Sequence, residues 1–557
     1  MARILSLLIR LVAADPSMLW PKPTSFVSGN VTVVVDTAAD FSSNILVSRL
    51  EQAMTRHRKH MVGDSWIPVV PTFRATSHNK CLPRLKKVFV TVGSGDLELS
   101  DTTDEKYTLQ LTISGEDAQV AIAAKTIYGA MHGLESLTQM TQGPKGKRLL
   151  SKAPFAIKDG PRFSHRGLLL DTSRNYYPVD TIKRTIRAMS LTKMNVFHWH
   201  IVDSHSWPFQ SATHPLLAEK GAIFPGQIYT YKDIAEIVNF AMDRGVRVIP
   251  ELEAPAHSYA IGRAYPEIQT CMDDDNWDQT AAEPPSGQID PTNPKSIQVV
   301  NDILDEFAFL FPDKYMHLSG DEVNLKCWNN TRSIRDYVEE KGITLESLLT
   351  DFATKMHRRA QAHKKSIMVW QEILLNHNVP LPETALVQVW LGAEDTKRIV
   401  DRGHRVVASS YQYWYLDCGK GAWIGDSPKG SSWCDPYKHW QMIYSYDLLA
   451  NLTQSQQNMV AGGEVAIWSE QTDEINLDRV AWPRAAAAAE VLWSGNREED
   501  GKVRGTKAVL PRFNNFRFYL VQNGINAEPN QPLWCVVNPG RCDTPNSLKA
   551  FREPYLP

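Results

Sequence analysis

The chain lacks features that would place it in two common classes of protein. Beyond the N-terminus it has no run of about 18 apolar residues, the length that a membrane-spanning helix requires. It also has no charge excess, because 60 Lys and Arg side chains stand against 62 Asp and Glu side chains. We therefore expect neither a membrane span nor a nucleic acid or other polyanion as a partner.

Cysteine is scarce, with 7 residues in a chain of 557. Three pairs have spacings that suit disulfides: Cys271 with Cys327, Cys418 with Cys434, and Cys535 with Cys542. Cys81 is then left over, and spacing alone does not fix the pairing. Such pairs are compatible with an oxidising, extracellular route.

The N-terminus indicates the same route. Residues 4–9 form a short apolar run behind Arg3, which predicts a signal peptide over residues 1–18. Acceptor sequences for N-glycosylation begin at Asn30, Asn329 and Asn451. Together these features predict a secreted protein, with a lysosome-like compartment as the alternative.

The length predicts two domains, because one compact core rarely grows so large. Residues 19–160 have the pattern of a small α+β domain. Its predicted strands are residues 30–35, 88–92 and 107–114, with one helix at 44–59 and a long helix within 118–140. Residues 143–147 are rich in Lys, Gly and Pro and separate that last helix from the repeating pattern that begins near residue 165.

Residues 161–557 are predicted to form the catalytic domain and a C-terminal tail. From residue 165 a strand–loop–helix pattern repeats, with strands at 165–173, 195–203, 246–253, from 315, 366–372, 385–390, 405–409 and 460–468. An α/β fold with a closed (β/α)₈ TIM barrel is the economical arrangement of eight such units. An open doubly wound sheet is the rival, but no Gly-rich phosphate loop follows the first strand.

A barrel of this kind carries its active groups at the C-terminal ends of its strands. The predicted strand ends hold acidic and aromatic side chains: Asp171, Asp203, Glu251, Glu253, Asp321, Glu322, Trp370, Glu372, Trp390, Trp468 and Glu470. Carboxylates can bind hydroxyl groups, and aromatic rings can stack on the apolar faces of sugars. The sequence therefore predicts a carbohydrate cleft at this end of the barrel.

Asp321 and Glu322 are the central pair of that predicted cleft. They follow the short apolar run at 315–318 and the dipeptide Ser319-Gly320. Neighbouring strand residues point to opposite faces, so one carboxyl can be desolvated while the other is not. Acid catalysis uses such a division between two carboxyl groups.

Two histidines offer a metal-dependent hydrolase as an alternative. His198 and His200 point the same way in a strand, with Asp203 and His205 close in sequence. We favour a pair of barrel-core histidines bonded to neighbouring carboxylates, because no matching Lys or further His follows at later strand ends.

Two more polar residues have roles that the local pattern leaves open. His257 either positions a reacting group or caps a turn. Arg166 begins an apolar strand, where a buried guanidinium needs a carboxylate or the hydroxyl groups of a ligand. Residues 171–174 are similarly ambiguous.

The stretch His317-Leu318-Ser319-Gly320-Asp321-Glu322-Val323 resembles the His-x-Gly-Gly-Asp-Glu-Val signature of glycoside hydrolase family 20, the β-N-acetylhexosaminidases. Six further stretches resemble that family in the same order: residues 165–174, 195–200, 369–372, 414–417, 462–464 and 482–485. Residues 414–419 and 432–436 look most like the fungal branch. The region 19–160 is similar to the family's small non-catalytic domain.

The resemblance implies catalytic roles for four residues. Glu322 would be the general acid, and Asp321 would orient the 2-acetamido group whose carbonyl oxygen attacks the anomeric carbon. Tyr415 would donate a hydrogen bond to that carbonyl, and His257 would tune or orient the acid. This mechanism retains configuration through an oxazolinium intermediate, without a covalent enzyme carboxylate.

The resemblance also implies the substrate contacts. Trp370, Trp390 and Trp468 would form the walls of the acetamido pocket. Arg166, Asp203 and Glu470 would bind the hydroxyls of the terminal sugar, and Asp417 would bind substrate near Tyr415. The resemblance also implies N-acetylhexosamine-terminated oligosaccharides as substrates, exo action and a homodimer. We expect no cofactor and no metal.

The chain departs from the family pattern at two places. Ser319 replaces the first Gly of the signature, and a left-handed backbone there would be strained by Ser; we expect it to be tolerated. Asp417 and Cys418 stand where some relatives carry Asn and Arg, which suit anionic sugars. We therefore expect neutral substrates such as chitin oligosaccharides. A catalytically silent sugar-binding protein and a disaccharide-releasing relative are the alternatives.

Overall fold

The computed structural model describes residues 18–70, 82–498 and 501–542. All but the last residue of the predicted signal peptide, and also Cys81, lie outside these ranges. Within them, no helix is both long and apolar enough to cross a membrane.

A six-stranded mixed sheet with two helices precedes the barrel. Its elements are β1 (Ser25–Ser43), α1 (Ser48–Gly63), β2 (Arg84–Val92), β3 (Tyr107–Ser114), β4 (Asp117–Ala124), α2 (Ile127–Met140), β5 (Thr141–Gln142) and β6 (Leu149–Asp159). The strand order is β1-β2-β4-β3-β6-β5, and β1 also pairs with β6. Alternating apolar side chains of β2, β3 and β4 face one buried cluster with α1 and α2.

The long helix predicted within residues 118–140 is α2, and a strand that was not predicted precedes it. Residues 117–124 form β4, and α2 begins only at Ile127, where the Thr126 hydroxyl accepts a hydrogen bond from the Gly129 N–H. A Thr at this position caps the free N–H groups of the first helical turn. The stretch 143–147 joins β5 to β6 and so lies inside the sheet region rather than after it.

Eight parallel strands close into a barrel, which confirms the predicted fold. They are β7 (His165–Asp171), β8 (Val196–His200), β9 (Arg247–Glu251), β12 (Tyr315–His317), β13 (Ser366–Trp370), β14 (Leu386–Val389), β15 (Arg405–Ala408) and β16 (Val460–Ile467). Strands β10 (Gln269–Thr270) and β11 (Gln288–Ile289) form a separate ribbon in the loop after β9. The barrel order follows the chain, and β16 pairs with β7 to close it.

Helices alternate with these strands and cover the barrel. They are α3 (Val179–Leu191), α4 (Leu216–Gly221), α5 (Tyr231–Met242), α6 (Tyr259–Ala264), α7 (Pro294–Leu310), α8 (Leu325–Asn330), α9 (Arg332–Lys341), α10 (Leu345–Ala362), α11 (Gln371–Leu375), α12 (Asp395–Asp401), α13 (Tyr411–Trp414), α14 (Trp440–Ser445), α15 (Gln454–Gln457), α16 (Leu477–Ala481), α17 (Arg484–Ser494), α18 (Thr506–Gln522) and α19 (Leu533–Val537). Two 3₁₀ turns, Pro266–Ile268 and Trp277–Gln279, lie beside the ribbon.

The barrel interior is a packed core. One buried cluster takes a side chain from each of seven strands: Val196, Ile249, Tyr315, Met368, Leu386, Val407 and Ala461. Layers of this kind fill small barrels and leave only the strand ends open to ligands. The polar residues at the C-terminal ends of the strands are therefore the ones that can meet a substrate.

The structure forms the three disulfides whose spacings appear in the sequence: Cys271–Cys327, Cys418–Cys434 and Cys535–Cys542. The second of them closes the loop that follows α13. That loop forms part of a cavity at the C-terminal ends of the barrel strands.

Candidate active site

A cavity of about 550 Å³ opens at the C-terminal ends of the barrel strands. It is lined by Arg174, Asp203, His257, Ala282, Glu283, Asp321, Glu322, Trp370, Trp390, Leu391, Tyr415, Asp417, Ala422, Trp423, Ile424, Ser431, Ser432, Trp433, Trp468, Glu470 and Gln471. Its volume falls in the range of small-molecule sites, and its lining combines aromatic rings with a few convergent charges. Of the eleven predicted site residues, Arg166 alone is not among these lining residues.

The acidic pair lies in a tight loop after β12. The backbone φ angles of Ser319, Gly320 and Glu322 are +49°, +95° and +52°, so three of four successive residues adopt the left-handed region. Such strain is tolerated where the surrounding structure fixes it, and it is common at functional sites. Because β12 ends at His317, loop geometry and not strand alternation directs Asp321 and Glu322. Both carboxyl groups line the cavity, but Glu322 is the more exposed, with 32% of its side chain accessible against 12% for Asp321.

His257 connects the acidic pair to a third carboxylate. Its Nε2 lies 3.0 Å from Glu322 Oε2 and 3.8 Å from Asp321 Oδ2, while its Nδ1 lies 3.5 Å from Asp203 Oδ1. Burial disfavours a charged imidazole, but Asp203, Glu322 and Asp321 outweigh it and hold the pKa of His257 well above its usual value. His257 is therefore a cation between carboxylates at neutral pH, and its positive charge faces Glu322.

Asp321 is the more buried member of the pair. Its Oδ1 accepts a hydrogen bond from the Ser319 hydroxyl at 2.5 Å. Burial raises the pKa of Asp321 to about 6; Glu322 and Glu251 act in the same direction and His257 opposes them. Asp321 thus changes its charge within the pH range in which acid catalysis operates.

Aromatic rings form one wall of the cavity beside the acidic pair. The ring centroids of Trp370 and Trp468 are 6.2 Å apart, and Trp390 stacks on Tyr415 at 6.4 Å. Two indole N–H groups are anchored behind the wall, from Trp370 to Glu251 at 2.7 Å and from Trp390 to Glu372 at 2.8 Å. These bonds fix the ring planes, and the result is a rigid apolar box open towards Asp321.

Tyr415 is the polar member of this box. Burial and the neighbouring carboxylates Asp417 and Asp321 raise the pKa of Tyr415 well above its usual value, with the adjacent Trp468 acting in the opposite direction. Its hydroxyl therefore keeps its proton at any physiological pH and can act as a hydrogen-bond donor.

Arg174 is the guanidinium of the cavity, and sequence reasoning did not assign it. Its Nη1 lies 2.7 Å from Asp203 Oδ2, and its Nε donates to Glu283 Oε1 at 3.1 Å. Its Cζ lies 5.1 Å from the ring centroid of Trp468. Asp171 fixes the turn that carries it, because Asp171 Oδ1 accepts from the N–H of Arg174 at 3.1 Å. Arg174 follows the C-terminal end of β7, and that position is the signal that could have identified it.

Arg166 lies elsewhere, so the prediction that it binds sugar hydroxyls is wrong. It is the second residue of β7, at the opposite end of the barrel, and is fully buried. Its guanidinium contacts Glu105 of the small domain at 2.6 Å and donates to the carbonyl groups of Phe163 and Lys193. A carboxylate and not a ligand compensates its charge. Burial raises the pKa of Glu105, but Arg166 and His132 together outweigh it and lower that pKa to about 2.

Two further acids line the cavity on the side of Trp468. Asp417 Oδ1 accepts from the backbone N–H of Trp468 at 3.3 Å, and burial raises the pKa of Asp417 to about 6. Burial and the nearby Glu283 raise the pKa of Glu470 well above its usual value. Uncharged carboxyl groups can both donate and accept hydrogen bonds, which suits hydroxyl ligands.

The two strand histidines are barrel-core residues bonded to carboxylates, as favoured from the sequence. The reason given for that preference was wrong, because a further histidine, His317, does end a later strand, β12. His198 Nδ1 pairs with Glu464 Oε1 at 2.7 Å, and His200 bonds Glu251 Oε2 at 2.6 Å and Asp203 Oδ2 at 2.8 Å. Among the described residues, the groups whose ligand atoms lie close enough to share a cation are His198–Glu251–His317, His200–Glu251–Glu253, Asp203–His205–Glu283, Asp417–Cys418–Cys434 and His257–Asp321–Glu322. In the two groups that contain Glu251, the histidines already have carboxylate partners that compensate for their burial. In the group with Cys418 and Cys434, both sulfurs form a disulfide.

Family models match both parts of the chain. Residues 163–496 match glycosyl hydrolase family 20, catalytic domain, and residues 19–140 match a beta-acetyl hexosaminidase like domain. The chain belongs to glycoside hydrolase family 20. The family predicted from the signature is therefore confirmed.

Named relatives agree with this membership. The chain is 34% identical over 572 residues to a beta-hexosaminidase of Emericella nidulans, covering 94% of this chain and 92% of the relative. It is 36% identical over 491 residues to beta-hexosaminidase 1 of Coccidioides posadasii, covering 83% and 82%. Both relatives are fungal, as the sequence features predicted. The prediction of a glycoside hydrolase of the β-N-acetylhexosaminidase type is confirmed.

A solved structure supports the fold over nearly the whole chain. The chitobiase of Flavobacterium johnsoniae superposes with a TM-score of 0.75 at 27% identity, covering 94% of this chain and 77% of that protein. The small domain before the barrel is included in a match of this extent.

Proposed function

We propose that the protein is an exo-acting β-N-acetylhexosaminidase that removes terminal N-acetylglucosamine or N-acetylgalactosamine by retaining, substrate-assisted hydrolysis. One observation carries this proposal. Asp321 and Glu322 face a cavity whose other wall is a box of three tryptophans and a protonated tyrosine. Two adjacent carboxyl groups beside an apolar box suit a substrate that brings its own nucleophile.

Glu322 is the proton donor in this proposal. It transfers a proton to the glycosidic oxygen as the bond from that oxygen to C1 breaks and the acetamido carbonyl oxygen bonds to C1. Its exposure in the cavity gives it access to both the leaving group and water. In the second step Glu322 accepts a proton from the water that attacks C1, and the two inversions leave a β product.

Asp321 stabilises the acetamido group in both steps. As the ring forms, the amide nitrogen becomes positive and its N–H more acidic. A buried carboxylate beside that N–H stabilises the developing charge more strongly than water would. An attached nucleophile also gains a large effective molarity when it is held in the reactive conformation.

The aromatic box would hold the acetamido arm in that conformation. Trp370, Trp390 and Trp468 enclose its methyl group, and the Tyr415 hydroxyl donates to its carbonyl oxygen. The donor stays protonated because of its burial. The hydrogen bonds from the indole groups to Glu251 and Glu372 keep the walls of the box in place when no substrate is bound.

The distribution of polar and aromatic residues in the cavity supports exo action. Arg174 and Asp203 are buried, so they suit the hydroxyls of one terminal sugar, together with Glu470 and Asp417. Trp423 and Trp433 also line the cavity but are exposed, by 36% and 61%. They would meet the rest of the saccharide chain at the rim. Uncharged chitooligosaccharides fit this lining, since Asp417, with a pKa of about 6, is ionised at neutral pH and would repel sulfate or sialyl groups.

Product analysis on chitotriose tests the proposed function. We expect the wild-type protein to release N-acetylglucosamine one unit at a time from the non-reducing end, first appearing as the β-anomer in proton NMR. Release of a disaccharide would contradict exo-hexosaminidase action and would favour the disaccharide-releasing alternative. Equal rates on 6-sulfated and unsulfated substrates would contradict the preference for neutral sugars.

We further propose a secreted glycoprotein that forms a homodimer, as the family resemblance and the N-terminus imply. Asn30, Asn329 and Asn451 all lie on the surface, where glycosylation requires them. Expression with the native N-terminus should give protein in the medium whose mass falls on treatment with N-glycosidase. Light scattering should then give twice the mass of one chain. Retention inside the cell, or a monomer, would refute the corresponding part.

A further inference from the structure

Ser319 stands where the family signature has its first Gly, and its hydroxyl makes contacts that Gly cannot make. The residue is fully buried. Its Oγ lies 2.5 Å from Asp321 Oδ1 and in equally close contact with Glu253 Oε2. Glu253 belongs to the loop after β9 and Asp321 to the loop after β12, so one hydroxyl bridges two carboxyl groups from neighbouring strand ends.

The bridge requires a proton on one of these carboxyl groups. A serine hydroxyl has a single hydrogen and can donate to only one acceptor at a time. If both carboxyl groups were ionised, one of the two short O···O contacts would hold no proton and would be repulsive. The cluster of three oxygen atoms therefore contains at least two protons, one on Ser319 and one on a carboxyl group.

Glu253 is the carboxyl group that holds this proton. It is buried, and its Oε1 makes no hydrogen bond to any described residue. The nearest cation, His200 Nδ1, is 3.6 Å from that oxygen. Burial and the adjacent Asp321 and Glu251 raise the pKa of Glu253 well above its usual value, against the weaker effects of His200 and His257.

We propose that Ser319 is a positioning residue for Asp321, with its hydroxyl accepting from protonated Glu253 and donating to ionised Asp321. This arrangement fixes Asp321 Oδ1 and leaves Oδ2 for the acetamido N–H. It rests on the proposed function, in which Asp321 acts as a carboxylate. The protein thereby uses the residue that departs from the family signature to stabilise the charged form of its acetamido-binding acid.

Several other charged groups face this bridge and must be considered in any test. Glu251 and His200 approach from the strands, His257 and Glu322 from the loops of the cavity, and Glu372 from α11. None of them changes in a Ser319 variant, so their effects are common to variant and wild type. The hydroxyl is the one group that such a variant removes.

The acidic limb of the pH profile of kcat/KM tests the proposal, measured on an aryl N-acetylglucosaminide. Donation to a carboxylate lowers its pKa, so Ser319→Gly should move the limb to higher pH by about one unit. Gly adopts a φ of +49° without strain, and this gain offsets part of the two lost hydrogen bonds, so this variant should still fold. Ser319→Ala should give the same shift, which separates the hydroxyl from backbone freedom.

Glu253→Gln tests the direction of the bridge. Its amide donates to Ser319 as a protonated Glu253 would, so the limb should stay within about 0.3 pH units of wild type. A limb that moves down by about one unit would mean that Glu253 is ionised in the wild-type protein, and would overturn the proposal. So would Ser319 variants whose limb superimposes on that of wild type. If the wild-type protein itself fails to cleave the substrate, the proposed function fails instead.

Discussion

Glu322 Oε2 and His257 Nε2 lie 3.0 Å apart, and both residues hold left-handed backbone conformations, with φ angles of +52° and +48°. Neither residue would adopt this backbone without the surrounding loops. The contact therefore results from two strained turns that lie side by side in the cavity lining. It aims a cation at the carboxyl group that we propose as the proton donor.

Glu322→Gln should affect substrates according to their leaving groups. We expect kcat to fall by about 10³-fold for chitobiose, whose leaving oxygen needs a proton. The loss should be far smaller for a 2,4-dinitrophenyl glycoside, whose leaving group departs unprotonated. Steady-state rates on the two substrates measure the difference. Equal losses on both would mean that Glu322 is not the acid.

Tyr415→Phe should lower kcat by about 10²-fold, because it removes a preformed donor to the acetamido carbonyl while the ring remains. Tyr413→Phe is the matched control. Tyr413 stacks on Tyr446 at 4.6 Å and does not line the cavity, so its loss should leave the rate near that of wild type. Equal rates for the two variants would remove Tyr415 from the proposed mechanism.

The two arginines should separate binding from stability. Arg174→Lys should raise KM about tenfold or more, because an ammonium cannot reproduce the guanidinium fork beside Asp203 and Glu283. Arg166→Lys should leave KM unchanged but lower the free energy of unfolding by about 2 kcal/mol, since buried acceptors lose their donors. Kinetics and denaturant unfolding on both variants check this. A raised KM in the Arg166 variant would mean that Arg166 does bind substrate, against its position in the structure.

Glu372 should make the protein less stable as the pH rises. Burial, with the nearby Asp321, raises the pKa of Glu372 from 4.5 to about 8, against a hydrogen bond from Trp390. A carboxyl whose folded pKa is raised contributes stability below its unfolded pKa, and this contribution is lost as pH rises towards the folded value. Glu372→Gln should therefore raise the melting temperature increasingly between about pH 4.5 and 8. The exposed Glu383→Gln is the control, and a pH-independent difference would contradict the account.

The barrel could be predicted because its strands are short buried runs that end in polar residues. The strand predicted at 165–173 corresponds to β7, His165–Asp171, and that at 405–409 to β15, Arg405–Ala408. The same regularity correctly placed Asp203, Trp390 and Glu470 at the C-terminal end of the barrel strands. Position along a parallel strand decides which end a side chain reaches.

Other parts of the cavity were missed in the sequence. Arg174 follows the C-terminal end of β7, a signal that was present but not used, whereas Arg166 is the second residue of that strand and lies at the opposite end of the barrel. Glu283, Trp423 and Trp433 belong to loops whose course depends on tertiary closure, not on local pattern. For Trp433 the neighbouring Cys434 was a usable signal, because its disulfide to Cys418 returns the loop to the cavity.

The nucleophilic role of the substrate's own acetamido group is the central claim, and a fluoroacetamido series tests it most directly. Aryl β-glucosaminides that carry an acetyl, fluoroacetyl, difluoroacetyl or trifluoroacetyl group on the 2-nitrogen differ chiefly in the nucleophilicity of the carbonyl oxygen. We expect kcat/KM to fall steadily along the series, by about a hundredfold or more in total, and plain β-glucosides to be cleaved negligibly. A flat series, or a glycosyl ester trapped on any side chain, would contradict the account.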